Sequence, residues 1–320
     1  MTPSGLYPEI EPYRTGSLEL DSLHHMHWEE SGNALGIPVV FLHGGPGAGG
    51  SPQHRRFFNA NDYRIIVYDQ RGAGRSSPLG EIRDNTTAHL IDDLESLRRH
   101  LDVDSWLLFG GSWGSTLALA YAEAHPERCM GLVLRGIFLC TEHEIDWFMR
   151  GMGRFFTEHW QRFSGFLPPA ERASLLENYH ARLVDPDPEV HLPAARAWSI
   201  YEGACSTLLP NEGVMAHFGD DRVALGLARI EAHYFLNRGF MREDALLKEC
   251  GALHSIPGII IQGRYDMVCP FETAYQLHEA WPQAKFRVIP GAGHSAWEPG
   301  ILTSLIEATR QFTRSGNFSG

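Results

Sequence analysis

No apolar run in this 320-residue chain approaches the ~20 residues that a membrane-crossing helix needs. The stretch Met1 to Arg14 lacks the basic-then-apolar order of a secretory leader, so none is expected. Basic patches are missing as well. Lys and Arg number 27 against 39 Asp and Glu, a formal net charge of −12, and Arg98-Arg99 sits in a segment full of acids. That balance argues against nucleic acid or an anionic membrane surface as a partner. The five cysteines (129, 140, 205, 250, 269) are odd in number and show no CxxC spacing. They read as reduced thiols of a cytoplasmic protein rather than a disulfide frame or a zinc site. Internal repeats and low-complexity segments are also absent. What remains is an ordinary globular composition, 43% hydrophobic and 21% charged, in a chain long enough for a large α/β core with or without an insertion.

Residues 15–30 alternate like a two-stranded ribbon with Asp21-Ser22 near its turn. His25 and His27 share one face of it, but no carboxylate or cysteine joins them, so a solvated strand edge is the better reading than a metal pair. Pro38 to Leu42, Tyr63 to Tyr68, Trp106 to Phe109 and Met130 to Phe138 read as buried strands. An amphipathic helix over 85–101 and an Ala/Leu-rich one after Ser115 lie between them. Apolar strands alternating with helices predict a mostly parallel sheet covered on both faces. The rhythm changes at about residue 140. Aromatic-rich helical segments broken by Pro168-Pro169 and Asp185-Pro186-Asp187-Pro188 run to about 250, and sheet patterning resumes at Pro257-Gly258-Ile259. This divides the chain into an α/β core at 1–139, an inserted helical cap at 140–250 and the rest of the core at 251–320. A last strand (Lys285 to Pro290) and a closing helix (299–313) complete it, with Ser315 to Gly320 expected to fray.

The chemistry centres on Gly110-Gly111-Ser112-Trp113-Gly114, between a buried strand and a helix. A G-x-S-x-G in that context is a nucleophile elbow, which lifts the serine hydroxyl clear of the sheet beside the N–H groups of a helix N-terminus. A serine needs a base held by an acid, in the chain order Ser, Asp, His. Asp266 follows the strand Ile259-Ile260-Ile261, and His294 follows the last strand within Gly291-Ala292-Gly293-His294. The oxyanion of acyl transfer calls for N–H donors. Trp113, directly after the nucleophile, supplies one; Gly45, in His43-Gly44-Gly45-Pro46-Gly47 after an early strand, is the choice for the other. His43 is expected to orient that loop rather than act as a base.

His43-Gly44-Gly45-Pro46-Gly47, Asp69-Gln70-Arg71-Gly72-x-Gly74-x-Ser76, Gly110-Gly111-Ser112-Trp113-Gly114-Ser115, Gly263-Arg264-Tyr265-Asp266 and Gly291-x-Gly293-His294 together closely resemble the proline iminopeptidases. These are prolyl aminopeptidases of the α/β-hydrolase fold with a helical cap, and the resemblance runs from about residue 10 to residue 313. It implies a serine exopeptidase that releases N-terminal proline from short peptides through an acyl-enzyme, without metal or cofactor. In that family cap glutamates hold the substrate's free amine, and the matching positions here are Glu202 and Glu231. Tyr201 and Ala232 stand where Trp and Asn are common variants, which leaves both glutamates in place. Phe138 and Phe148 are candidates to wall an apolar slot for the pyrrolidine ring.

Fold does not fix substrate. An esterase, a lactonase or a broad aminopeptidase stays open at this point, as does a non-catalytic ligand receptor on the same scaffold. Enzymes with an Asp nucleophile are disfavoured by Ser112. Cys269, three residues after Asp266, puts a thiol near the triad, and a bulky reagent there is expected to block activity. Oligomeric state is not legible.

Overall fold

The structure, a computed structural model, describes residues 5–318. The expected ribbon forms as β1 (Arg14–Glu19) paired antiparallel with β2 (His25–Gly32), and the Asp21 carboxylate closes its turn by accepting the N–H groups of Leu23 and His24 at 2.8 Å. It is not free-standing. β2 also pairs antiparallel with β4 (Tyr63–Tyr68), joining the ribbon to the edge of a larger sheet. β3 (Ile37–Leu42), β5 (Trp106–Ser112), β6 (Cys129–Ile137), β7 (Gly258–Gly263) and β8 (Lys285–Ile289) run parallel to β4 and to one another, in the order β1-β2-β4-β3-β5-β6-β7-β8.

Helices α1 (Thr87–His100) and α2 (Trp113–Ala124) connect the early strands. Thr86 caps α1 through its hydroxyl, which accepts from His89 N–H. Between β6 and β7 every described helix or strand is helical: α3 (Glu142–Asp146), α4 (Thr157–Gly165), α5 (Leu175–Leu183), α6 (Pro188–Cys205), α7 (Glu212–Phe218), α8 (Asp221–Leu236), α9 (Ala245–Lys248) and intervening single turns. The proline pair Pro186/Pro188 stops one helix and starts the next, with Pro188 in the first turn of α6, where its missing N–H does no harm. α10 (Phe271–Ala280) and α11 (Pro299–Ser315) complete the chain.

Period-two alternation along the strands builds two cores. Val40, Leu42, Leu108, Leu132 and Leu134 face α1, α2 and the cap side, while Val39, Phe41, Leu107, Phe109, Val133 and Ile261 face α11 through Ile301, Leu305 and Phe312. Each fully buried Leu or Ile contributes about 1.5–3 kcal/mol. In the cap, Phe163 stacks on Tyr179 and on Tyr201, with ring centroids 4.6 Å apart in both pairs. The cap is tied to the core where Tyr234 OH on α8 donates to Asn85 Oδ1 at 2.8 Å.

The C-terminal expectation needs correcting. Gly316 ends α11 in the left-handed region (φ 65°), and Phe318 is buried against Phe312, so the chain is packed rather than frayed to that point. Residues 319 and 320 lie outside the described residues. Among the described residues no helix is long and apolar enough to cross a membrane.

Candidate active site

Ser112 ends β5 and immediately precedes α2, with φ 58° and ψ −130°, a positive φ that few non-glycine residues adopt. The glycines around it are required by contact. A Cβ on Gly110 would strike the Gly114 carbonyl, and one on Gly114 would strike the Leu42 carbonyl. Gly44 passes over the nucleophile, where a Cβ would sit 3.3 Å from Ser112 Cβ.

Asp266 and His294 meet beyond the ends of β7 and β8. His294 Nδ1 lies 2.8 Å from Asp266 Oδ2 and 3.0 Å from Oδ1. Asp266 Oδ1 also accepts the N–H groups of Val268 (3.1 Å) and Cys269 (2.8 Å), and Oδ2 accepts Gln262 Nε2 at 3.2 Å. So many donors define an ionised carboxylate, which places the ring proton on Nδ1 and leaves Nε2 as an acceptor. That acceptor faces Arg135, whose Nη1 is 3.2 Å from Nε2 and donates to the His294 carbonyl at 2.9 Å. Gly136, with φ 56°, keeps the floor beneath the pair open; a Cβ there would be 3.0 Å from His294 Cε1.

The early loop is braced from inside. His43 is buried, which lowers the affinity of its imidazole for a proton. Its Nε2 accepts Gln70 N–H at 2.9 Å, and its Nδ1 lies 3.0 Å from the Gly44 carbonyl and 3.2 Å from the Gly49 N–H. Gln70 extends the brace: Nε2 donates to the His43 carbonyl at 2.9 Å, and Oε1 accepts Trp113 Nε1 at 3.0 Å. One side chain thereby ties the loop carrying Gly45 to the residue after the nucleophile. Trp113 begins α2, so its N–H has no carbonyl four residues earlier within the helix.

Ser112, His294, Arg135, Gly44, Gly45 and Glu202 line one cavity of about 410 Å³. Glu202 (α6) and Glu231 (α8) are both buried, one hydrogen-bonded to the other, and Glu231 Oε2 also accepts Trp198 Nε1 at 2.5 Å. Burial pushes Glu202 up to about 8 and, together with the neighbouring carboxylate, raises Glu231 well above the usual range. Glu202 Oε2 has no hydrogen-bond partner among the described residues. Phe138 and Phe148 do not line the cavity. Both are buried behind it and pack on Phe235, with ring centroids 5.8 and 5.2 Å away.

Sequence reasoning missed Arg135, Gln262 and the work of Gln70. A lone Arg and a lone Gln in apolar strands were the available signal, since buried polar side chains need a partner. Cys269 is buried, and its thiol is pushed well up by burial and by the Asp266 carboxylate. Of the ribbon histidines, His24 is buried on Asp21 (2.9 Å), whereas His25 is exposed. No group of three or more His, Cys, Asp or Glu among the described residues could hold a metal ion.

Residues 37–300 match the family model described as the alpha/beta hydrolase fold. A probable proline iminopeptidase of Leptolyngbya boryana is 50% identical over 96% of each chain. A proline iminopeptidase of Xanthomonas citri is 49% identical over 96% of this chain and 99% of its own. One from Arabidopsis thaliana is 48% identical over 96% of this chain and 81% of its own. Among solved structures, a bromoperoxidase from Bacillus anthracis superposes with a TM-score of 0.67 at 21% identity, covering 94% of this chain and 100% of that one. An esterase from Rhodococcus, RhEst1, gives 0.62 at 22% identity, covering 94% and 98%.

Proposed function

We infer that this chain, which belongs to the alpha/beta hydrolase family and within it to the proline iminopeptidases, releases N-terminal proline from peptides by serine acyl transfer. The observation that carries the substrate reading is the Glu202–Glu231 pair. Two carboxyl groups buried side by side, one with an unpartnered oxygen, are electrostatically costly alone and are relieved by a cation such as the protonated ring nitrogen of an N-terminal proline. An exopeptidase needs that feature, because it must recognise a free terminus and reject chains without one.

In this reading Ser112 Oγ attacks the prolyl carbonyl, and its proton passes to His294 Nε2, which exchanges its contact with Arg135 for the hydroxyl. Asp266 holds Nδ1–H and stabilises the imidazolium. The N–H groups of Trp113 and Gly45 face the oxyanion. Collapse of the tetrahedral centre breaks the C–N bond, and the imidazolium gives its proton to the departing amine. Water then attacks the prolyl ester with His294 again as base, freeing proline and Ser112.

The test compares proline-arylamide, alanine-arylamide, N-blocked proline-arylamide and a simple aryl ester. Among the arylamides, fast cleavage of the free proline compound alone is expected, with slower turnover of the ester. Ester cleavage without arylamide cleavage would keep the triad and reject the peptidase reading.

A further inference from the structure

The cavity holding Ser112 has a second end. On the α11 side of the sheet Phe41, His54, Phe57, Phe109, Trp297 and Leu305 line it. Phe41, Phe57, Phe109 and Leu305 belong to the core on that face, whereas Phe138, Phe148 and Trp198 belong to the core on the other. His54 lies flat on Phe41 (centroids 4.1 Å, 18°) and parallel to Trp297 (5.8 Å, 12°), which in turn stacks on Phe57 (5.1 Å, 24°). Ser51 N–H fixes the His54 ring by donating to Nδ1 at 3.0 Å. Burial holds that imidazole neutral, down to about 3, so no side chain among the six brings a charge.

We propose that this aromatic end receives the side chain of the residue after proline, so that the enzyme favours Pro-aromatic and Pro-large-aliphatic termini. The inference rests on the amine being held at Glu202 and Glu231. With the acyl half anchored toward the cap, the two halves of the tetrahedral centre diverge at Ser112, and the leaving half points to the α11 side. A flat ring there exchanges water for stacked aromatic faces. A charged side chain would lose its hydration without gaining a partner among these six residues.

The experiment measures kcat/KM for Pro-Phe-NH2, Pro-Leu-NH2, Pro-Gly-NH2 and Pro-Asp-NH2, with proline amide, which releases only ammonia, as reference. The wild type is expected to prefer Phe over Gly by about tenfold or more, and to place Asp last. Trp297 is partly exposed, so Trp297→Ala should fold, and it should cut the Phe/Gly ratio at least about threefold while Trp297→Phe preserves it. Equal kcat/KM for Phe, Gly and Asp, or a Phe/Gly ratio untouched by Trp297→Ala, would overturn the subsite. Failure to cleave any prolyl compound, proline amide included, would instead overturn the peptidase reading, and the subsite with it.

Discussion

Arg135 Nη1 lies 3.2 Å from His294 Nε2 and donates to the His294 carbonyl at 2.9 Å, so one guanidinium grips both the ring and the backbone of the general base. Its Nε has no partner among the described residues, and Gly111 has no side chain because a Cβ would lie 2.6 Å from Arg135 Nη2. The arginine reaches the base across the nucleophile's own turn.

Arg135 is therefore a positioning residue with an electrostatic effect. Arg135→Met should lower kcat about tenfold or more, since small losses of alignment are expensive in such sites. KM should change little, because the guanidinium grips the base and not the substrate. Arg135→Lys, which keeps a donor for the His294 carbonyl, should recover part of the lost kcat. A Met variant with wild-type kcat and a lower Tm would reduce Arg135 to packing.

Gln70 offers a second test, this time of the oxyanion side. Gln70→Leu leaves the His43 carbonyl and Trp113 Nε1 without their partner, at about 1–3 kcal/mol for each buried group left unmade. Both anchors of the proposed oxyanion donors loosen together, so kcat should fall roughly tenfold or more with KM changing little. Thermal unfolding and steady-state kinetics on one preparation separate the effects. A lower Tm with wild-type kcat would show that the brace serves stability alone.

Cys269 gives a kinetic test. Its thiol is buried and its ionisation suppressed by burial and by Asp266, and the thiolate is the reactive form. Iodoacetamide at neutral pH should label it over hours rather than minutes, and activity should fall in step with its labelling by mass. Rapid inactivation while Cys269 remains unlabelled would locate the sensitive group elsewhere.

Much of this was legible in the sequence because it depended on local chemistry. G-x-S-x-G works only between a strand and a helix, and Asp266 and His294 each follow an apolar run, so chain order alone brought them together. The strand periodicity likewise marked which faces are buried. What escaped depended on distance in space. Arg135 lies 159 positions from His294, and nothing local to an Arg in Leu-Val-Leu-Arg-Gly announces the loop it will reach. Gln262 is a single polar residue in an apolar strand, and its contacts with Asp266, the Cys269 carbonyl and Ile137 N–H reach segments that nothing local to it specifies. Phe138 and Phe148 were drawn toward the cavity by composition, but burial competes for every aromatic ring. The cap's stacked core took them.

The paired glutamates give the prediction with the clearest sign. Burial raises Glu202 to about 8 and lifts Glu231 as well, whereas in the unfolded chain both titrate near 4.5. The native state therefore binds more protons than the unfolded chain between those limits, and stability from this pair, full below about 4.5, is lost as pH rises toward 8. In the free enzyme Tm should decline over that window, and Glu202→Gln should flatten the decline and raise Tm at pH 8 by roughly 2 °C or more. A cationic substrate reverses the preference, because it binds the ionised pair, so KM for a free prolyl substrate should fall as pH rises to 8. The same variant should lose activity on that substrate and keep most of it on an amine-free ester. Equal losses on both would show that Glu202 supports the fold of the site rather than holding the amine, and an unchanged Tm slope would show that the pair is already ionised without its cation.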